Sequence, residues 1–587
     1  MNNVIHPGFI FILGALALPL FRRREIKQAL QLFVPVFAFT QLLLMEEGTY
    51  WVYKFISYDL ILGRVDKLSM CFAYVFVMIA FLGMIYALHV KEDGQHVATF
   101  LYVGGTLGVT FAGDLFTLFA FWELMAIYSV FIIWYQKSQK ALNAGFRYLM
   151  VHLVGGGSLL AGIIMHASQT GSIQFTTIGY GGLASHLILV GFLVNAAVPP
   201  FSAWLSDAYP EASVTGSVFL SAFTTKAAVY VLLRGYPGVE LLTWMGAIMA
   251  LYGVVYAVLE NDIRRLLAYH IISQVGFMVC GVGLGSEMSL NGSTAHAFCH
   301  ILYKALLFMG AGAVIEVTGK SKITELQGRN LYRAMPICFS LYMVGAFSIS
   351  AVPLFNGFIS KNMILFAAGE MHRTVVHLLL HLASIGTFLS LSLKLPYGTW
   401  FGKAPANRTL DVIPAKEPPL NMLIGMAMTA FVCIFTGIYP KALYDILPYH
   451  ATFMPYTIYS VSTMLQLLIF AALAFFLFID KMRGAPTISI DTDWFYRKGA
   501  LGFMAFSHVF DNARIALQGK TADIVESLVG FSKNPIRVFE MVVLHKKSSV
   551  LQYDANTYRQ AIGIGVMLSL ILLSLFCIIF FVYLFSH

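Results

Sequence analysis

The chain has 587 residues, of which 58% are hydrophobic and only 11% are charged, and its mean hydropathy is +0.76. This composition excludes an ordinary water-soluble protein, because too few charged residues remain to cover a soluble core of that size. The formal net charge of +9 comes from basic residues in the loops between apolar stretches. That pattern orients membrane helices, and nothing in it indicates nucleic-acid binding.

Apolar stretches of membrane-spanning length recur along the whole chain. A helix that crosses a bilayer needs about 20 mostly apolar residues, and its backbone groups must be hydrogen-bonded within the helix. We therefore predict an all-α polytopic membrane protein with about sixteen transmembrane helices. The predicted spans lie near residues 8–20, 30–45, 68–89, 97–113, 114–134, 146–167, 186–205, 212–234, 241–260, 264–284, 295–315, 334–369 (interrupted), 374–396, 421–438, 458–479 and 561–584.

The basic residues of the loops predict how the chain is oriented. The first span precedes Arg22, Arg23 and Arg24, which is the reverse of the order in a secretory signal, so we expect it to be retained as a span. If the N-terminus lies outside, most of the other loop lysines and arginines lie inside. This agrees with the positive-inside rule and predicts an outside N-terminus.

Two similar motifs interrupt apolar spans and indicate an internal repeat. Residues 197–201 read AVPPF and residues 351–355 read AVPLF. The prolines of these motifs (Pro199, Pro200 and Pro353) remove backbone donors and break helices. Paired interrupted spans are typical of repeats around a transport site. We predict five-helix repeats over 97–234 and 241–396, the second inverted relative to the first; two unrelated proline kinks are the alternative.

The rest of the chain divides around these repeats. We expect an N-terminal three-span region over 1–96, two additional spans within 397–480 and a final transmembrane helix within 561–587. Parts of residues 481–560 alternate apolar and charged residues with helical spacing. This pattern predicts an amphipathic segment along the inner membrane surface or along neighbouring subunits. A small inside loop without such contacts is the alternative.

Ionisable residues inside the apolar spans are the candidates for function, because a charge in the bilayer is costly and by default marks a path for ions or protons. Glu123 lies in FAFWELMAIY and Lys226 in TTKAAVYVLLR, and a buried Glu–Lys pair can exchange protons with water near neutral pH. A purely structural ion pair is the alternative.

Three further residues follow one another on a single helix face. His296, His300 and Lys304 are spaced i, i+4, i+8 in HAFCHILYKALLFMGAG, and histidine can pass protons through water near neutral pH. A metal site at the two histidines is disfavoured, because no carboxylate or cysteine accompanies them in a ligand pattern. A row of hydrogen-bonded core histidines is the remaining alternative.

His270, Lys361 and Lys394 complete the set of candidate translocation residues. Lys361 directly follows the second helix break, and His270 lies on the inner half of its span. Lys394 lies near a helix end, where a lysine can also extend its ammonium group to the interface. Asp207 and Glu211 in SDAYPEAS either cap a helix or admit ions at an inside loop.

No sequence pattern indicates a cofactor. The six cysteines are scattered through apolar spans without a CxxC motif, and the chain contains no P-loop, dinucleotide fingerprint or nucleophile elbow. We expect no catalytic residue, bound cofactor or metal, so the energy for transport must come from an ion gradient or from a partner.

The quoted residues, together with FWELM, WLSDAYPEAS, FLSAFTTKAAVY and DIRRLLAYHIISQVGFM, resemble the proton-pumping antiporter-like family over about residues 60–440. That family comprises the large membrane subunits of respiratory complex I, of group 4 hydrogenases and of Mrp-type sodium/proton antiporters. The sequences DAYPEAS and LAYHIISQ are most similar to those of the D-type subunits of Mrp antiporters. The resemblance implies a prokaryotic cell-membrane location and partner subunits in a hetero-oligomeric complex.

The resemblance also assigns family positions to individual residues. Glu123, Lys226 and Lys361 correspond to the glutamate of the fifth span and the lysines of the eighth and twelfth spans. The family's seventh-span lysine corresponds here to Asn195, which cannot carry charge. The histidine and proline of its HxWLPDA motif correspond to Ser202 and Ser206. The resemblance places the family's proton-input path in the first repeat, so these three substitutions change residues of that path.

The resulting hypothesis is a subunit that translocates protons, or sodium and protons, within a multi-subunit membrane complex. Protonation at Glu123 and Lys226 alternates with transfer along His270, His296, His300 and Lys304, and exit uses Lys361 and Lys394. The alternatives are an antiporter-like subunit of a hydrogenase, formate hydrogenlyase or complex I-like oxidoreductase, and a structural anchor that conducts nothing.

Overall fold

A computed structural model describes residues 4–402, 416–479, 491, 493–547, 554 and 562–585. Within the described residues, the chain forms two compact units, residues 1–493 and 494–587. Parts of the predicted 397–480 and 481–560 regions (residues 403–415, 480–490, 492, 548–553 and 555–561) lie outside the described residues. Helices dominate both units, so the predicted all-α polytopic class is confirmed.

The N-terminal region contains a β-hairpin as well as three helices. The helices are α1 (Pro7–Ala17), α2 (Arg24–Leu44) and α3 (Lys67–Ala87), and the strands are β1 (Gly48–Phe55) and β2 (Tyr58–Val65). The strands pair antiparallel, from Gly48 opposite Val65 to Phe55 opposite Tyr58. Residues 48–65 therefore form a paired hairpin, which the sequence analysis did not predict.

The region of the first predicted repeat consists of seven helices. They are α4 (Asp93–Phe111), α5 (Leu115–Trp134), α6 (Gln139–Thr170), α7 (Gly182–Asn195), α8 (Ala203–Ala208), α9 (Val214–Ala222) and α10 (Thr224–Gly235).

The region of the second predicted repeat follows directly, and two spans come after it. The helices are α11 (Glu240–Leu259), α12 (Ile263–Leu284), α13 (Glu287–Thr318), α14 (Ile323–Leu326), α15 (Leu331–Ala334), α16 (Pro336–Ile349), α17 (Asn356–Glu370), α18 (Thr374–Thr387), α19 (Leu420–Ile438), α20 (Lys441–Tyr444) and α21 (Ile458–Leu477). After α18 the backbone continues as π-helical turns over Phe388–Lys394 and Tyr397–Phe401.

The second unit consists of α22 (Asp493–Lys533), α23 (Pro535–Val542) and α24 (Ile562–Phe585). At about 1.5 Å per residue, the 41 residues of α22 extend about 60 Å, twice the thickness of a hydrocarbon core. Residues 563–580 of α24 are long and apolar enough to cross a bilayer. An amphipathic role for α22 along the membrane stays a prediction.

Twelve helices among the described residues are long and apolar enough to cross a membrane, and three shorter apolar helices accompany them. The protein is thus a multi-pass membrane protein, while the count of sixteen spans and the two inverted repeats stay predictions. α12 and α13 form the centre of the first unit, since nearly all their side chains are buried.

The two interrupted spans end in the same backbone geometry. At the first, Ala197 has φ of 56°, and the amide of Val198 donates to the carbonyl of Leu193 at 3.1 Å. At the second, Ala351 has φ of 57°, and the amide of Val352 donates to the carbonyl of Phe347 at 3.0 Å. Both are Schellman-type caps on a left-handed residue, and both lie at the same position of the AVPPF and AVPLF motifs.

A two-pronged ion pair joins the start of α3 to α10. Arg234 donates to both carboxylate oxygens of Asp66 at 2.8 and 2.9 Å. Burial opposes ionisation of this carboxyl, but the hydrogen bonds and charge of Arg234, with the amide of Ser69 and the charge of Arg64, outweigh it. Together they hold the pKa of Asp66 below its ordinary value.

Replacing Asp66 with Asn should lower the thermal stability of the detergent-solubilised protein, because Arg234 loses its charged partner while staying buried. A depressed carboxyl pKa stabilises the fold above the ordinary pKa, and this contribution is lost as pH falls through the folded value. The difference in melting temperature between wild type and Asp66→Asn should therefore shrink in acid. Asp59→Asn, at an exposed position of β2, is the control and should change nothing. A difference that does not vary with pH would contradict this account.

Candidate ion-translocation site

Three predicted lysines share one kind of hydrogen bond. Lys226 Nζ donates to the carbonyl of Ser221 in the last turn of α9, and Lys361 Nζ donates to the carbonyl of Ile349 at the end of α16. Lys394 Nζ donates to the carbonyls of Val258 and Glu260 at the end of α11. The last carbonyls of a helix have no intrahelical partner and carry partial negative charge. Each lysine is thus stabilised by a helix end.

Helix breaks provide these acceptors. Lys226 lies in the first turn of α10, and its ammonium group reaches back to α9 across the discontinuity at Phe223. Lys361 reaches 12 residues back across the AVPLF interruption to Ile349 at 2.9 Å. Both lysines are fully buried. An unbroken helix would engage these carbonyls internally, so the interruptions create the lysine sites.

The central row lies on α13, as predicted. His296, His300 and Lys304 are all fully buried, and the ring centroids of the two histidines are 6.3 Å apart. The contacts of His296 are with Ser360 Oγ at 3.1 Å and Gln274 Oε1 at 3.2 Å. Since Ser360 precedes Lys361, the row adjoins the second broken helix.

The other two members of the row lack such partners. Among the described residues, both ring nitrogens of His300 and the ammonium group of Lys304 have no hydrogen-bond partner in the protein. Lys304 Nζ lies 5.9 Å from the centre of the Phe308 ring. Because buried polar groups are normally satisfied, these atoms are expected to bind water.

His270 lies on α12 beside this row. Its Nε2 is 2.6 Å from Ser390 Oγ in the π-helical turns, whereas Nδ1 is buried without a partner among the described residues. Ser390 thus connects α12 to the segment that carries Lys394.

Glu123 does not pair with Lys226 in this structure. No ion pair joins them in the part of the chain that the structure describes. Instead, Glu123 faces the glycines of α6: a Cβ atom added at Gly156 would overlap Glu123 Oε1. The half-buried carboxyl therefore occupies space that only a glycine leaves open.

Asn195 is the last residue of α7 and is completely buried. Neither atom of its amide has a partner among the described residues, and the same is true of Asn356 at the start of α17. Sequence reasoning missed Asn356; its place directly after AVPLF is the signal that could have found it. Both interrupted spans thus carry an unpaired amide near the break.

The acidic segment at the end of α8 has a structural contact. Arg147 of α6 binds both carboxylate oxygens of Asp207 at 2.6 and 2.9 Å. Asp207 is therefore the anchor of an ion pair between α6 and α8, which differs from the helix cap and the ion entrance considered from the sequence. Glu211 is half-buried in a 3₁₀ turn that follows α8.

Asp491 is a buried acid that the sequence analysis missed. It accepts hydrogen bonds from the hydroxyl groups of Tyr252, Tyr269 (2.6 Å) and Ser206 (3.4 Å). Ser206 stands where the family motif has proline, so this departure supplies a donor. The polar sequence around Asp491 gave no sign that its carboxylate is buried.

Known proteins share this architecture. A model of the NADH:quinone oxidoreductase/Mrp antiporter transmembrane family matches residues 112–390. The uncharacterized protein MJ1309 of Methanocaldococcus jannaschii is 30% identical over 352 residues, which cover 57% of this chain and 72% of that protein. The chain therefore belongs to the NADH:quinone oxidoreductase/Mrp antiporter family.

Two further relatives are informative. One Na(+)/H(+) antiporter subunit of Alkalihalophilus pseudofirmus is 28% identical over 429 residues, covering 65% of this chain but only 52% of its own length. The fold matches a chain of the membrane-bound sulfane sulfur reductase, an archaeal respiratory membrane complex, with a TM-score of 0.69 at 21% identity, covering 97% of this chain and 99% of that one.

Replacing Gly156 with Ala should destabilise the protein by about 1 kcal/mol, because the new Cβ pushes the end of the Glu123 side chain out of its present rotamer. Gly157→Ala is the matched control: a Cβ there meets nothing within 4 Å, and alanine favours helix. Thermal unfolding in detergent measures both. Glu123→Ala combined with Gly156→Ala should recover stability, since the clash is removed. Equal effects of the two glycine substitutions would show that Glu123 does not occupy this space.

Proposed function

We propose that the chain is a proton- or sodium/proton-translocating subunit of a multi-subunit complex in a prokaryotic cell membrane, with its N-terminus outside. The observation that carries the proposal is the set of buried lysines held by helix-end carbonyls, arranged around an unsatisfied histidine–lysine row. Such groups are costly in a membrane protein and are typical of ion pathways.

The lysine sites suit reversible protonation. A carbonyl stabilises an ammonium group by charge and hydrogen bonding but does not take its proton, because a peptide carbonyl is a far weaker base than an amine. The cost of burying the charge and the attraction of the helix end oppose each other. Lys226 and Lys361 can therefore gain or lose a proton with a small change in their surroundings.

The proposed route begins at Glu123 and Lys226 and continues through the central row. His270, His296, His300 and Lys304 pass protons through water toward Lys361 and Lys394. His296 contacts Ser360, the residue before Lys361 on α17, and α10 packs on α13, which brings the helix of Lys226 beside the row. The unpaired atoms of His300 and Lys304 are where water would complete the route.

The energy must come from outside this chain. Moving one charge against 100 mV requires about 2.3 kcal/mol. An opposing cation gradient would supply this in an antiporter, and a redox partner would supply it in an oxidoreductase complex.

A redox-coupled complex is the second candidate. The chain would then be the antiporter-like subunit of a hydrogenase, formate hydrogenlyase or complex I-like oxidoreductase. The fold match over 97% of the chain to a subunit of a respiratory membrane complex favours this candidate. A structural anchor that conducts nothing is the alternative, and the uncharged Asn195 and the absence of a Glu123–Lys226 pair among the described residues favour it.

Lys226→Ala and Glu123→Ala should each abolish most proton translocation by the assembled complex in inverted vesicles, by about tenfold or more. A pH-sensitive dye reports the gradient, and co-purification of the partner subunits confirms assembly. Lys441→Ala, at an exposed position at the start of α20, is the control and should leave the rate unchanged. An unchanged gradient in both test variants would favour the non-conducting anchor.

A further inference from the structure

A row of polar side chains follows α18 and the π-helical turns after it. These residues (His377, His381, Ser384, Thr387 and Ser390), called here the α18 polar face, are spaced by four, three, three and three positions. At about 100° per residue, His377, His381 and Ser384 lie within about 60° of one another, and Thr387 and Ser390 continue around the helix to contact α12. The neighbouring positions Leu378 and Leu382 are exposed on another side. The face therefore runs between the protein interior and the first turn of α18.

The inner end of the α18 polar face contacts the central row. Gln274 Nε2 donates to Thr387 Oγ1 at 3.4 Å, and Gln274 Oε1 lies 3.2 Å from His296 Nε2. Ser390 Oγ lies 2.6 Å from His270 Nε2. Ser390 thus contacts His270 directly, and Gln274 bridges Thr387 to His296.

The outer end consists of two histidines in direct contact. His381 Nε2 lies 3.0 Å from His377 Nε2, and His377 Nδ1 lies 3.0 Å from the carbonyl of Leu365 on α17. A carbonyl only accepts, so His377 Nδ1 carries a hydrogen. In the neutral pair His377 Nε2 is then the acceptor and His381 Nε2 the donor. This leaves His381 Nδ1 as a lone pair that can receive a proton.

The segment between these ends is buried and polar. Ser384 Oγ and His381 Nδ1 are both buried, and neither has a partner among the residues that the structure describes. Ser384 lies one helical turn from both Thr387 and His381, so water bound between them would join the hydroxyl groups to the histidine pair. From Thr387 to His377 the helix rises about 15 Å, half of a hydrocarbon core of about 30 Å.

We propose that His377 and His381 form a proton-exchange site that connects the central row to the membrane surface at the start of α18. This inference rests on the proposed translocation function and adds to it a terminus for the pathway. The two ends of the stretch from α18 to Lys394 then differ. The histidine pair lies near the start of α18, whereas Lys394, at the other end, binds carbonyls at the C-terminal end of α11.

One proton is taken up and one is released in each passage. A proton binds His381 Nδ1, the Nε2 hydrogen of His381 moves to His377 Nε2, and His377 then returns one proton to water. Water then carries the Nδ1 proton of His381 to its Nε2, which restores the starting tautomer, and no group is oxidised or reduced. His377 lies in the first turn of α18, where the helix dipole disfavours a cation, so release from His377 is favoured.

The charged surroundings are compatible with this exchange. Lys361 lies one turn before Leu365 on α17, and Arg373 at the start of α18 is paired with Glu240 of α11 at 2.7 Å. His372 is exposed in the preceding turn. The positive charge of a protonated Lys361 would drive a proton from the histidine pair toward the surface.

The test uses the assembled complex in vesicles, with His377→Ala and His381→Ala compared with wild type. Proton translocation should fall about tenfold or more in each variant, and added imidazole should restore it, because a mobile imidazole can replace the missing group. His372→Ala is the control and should behave as wild type. If His381→Ala does not assemble, His381→Gln keeps a hydrogen bond to His377 and should show the same loss.

Two outcomes would overturn the exchange site. Unchanged translocation in the histidine variants would show that protons do not pass here, and a loss that imidazole does not restore would show a structural role. Lys304→Met separates this failure from that of the proposed function. If Lys304→Met stops translocation while the histidine variants do not, only the exchange site fails; if Lys304→Met has no effect, both fail.

Discussion

The arrangement of the helices depends on the need to stabilise buried lysine ammonium groups without a carboxylate partner. Lys226, Lys361 and Lys394 each donate a hydrogen bond to carbonyl groups at the end of a helix. Such carbonyls exist inside the protein only where a helix ends there, so Lys226 depends on the end of α9, Lys361 on the second interrupted span and Lys394 on the end of α11. The matching caps at Ala197 and Ala351 show that both interruptions are built by the same local sequence.

Asn195 marks where the two interrupted spans differ. In the second, Lys361 binds the end of α16. In the first, the last residue of α7 is an uncharged amide, and the Glu123 carboxyl of α5 lies against Gly156 of α6. The first half of the protein therefore holds an acid without a basic partner among the described residues. An adjacent lysine would stabilise the Glu123 carboxylate, and the described residues place none in contact with it.

Much of the fold could be predicted from the sequence, because membrane helices are set by long apolar stretches and by prolines. The row on α13 followed from its i, i+4, i+8 spacing.

The acceptors of the lysines could not be predicted, since any residue supplies a carbonyl. The hairpin of β1 and β2 was missed because its alternating residues lie in a short stretch between two apolar spans. The α18 polar face was missed because uncharged Ser, Thr and His do not interrupt an apolar stretch. The Asp491 contacts join distant parts of the chain and have no local signal.

Proton transfer through the central row requires the His300–Lys304 part of the row to be hydrated and continuous with Lys361. A cryo-EM map of the assembled complex, at a resolution that shows ordered water, would reveal this hydration. We expect water density within hydrogen-bonding distance of His300 and of Lys304 Nζ, continuing toward Ser360. Closely packed apolar side chains around both groups, with no water density, would contradict it.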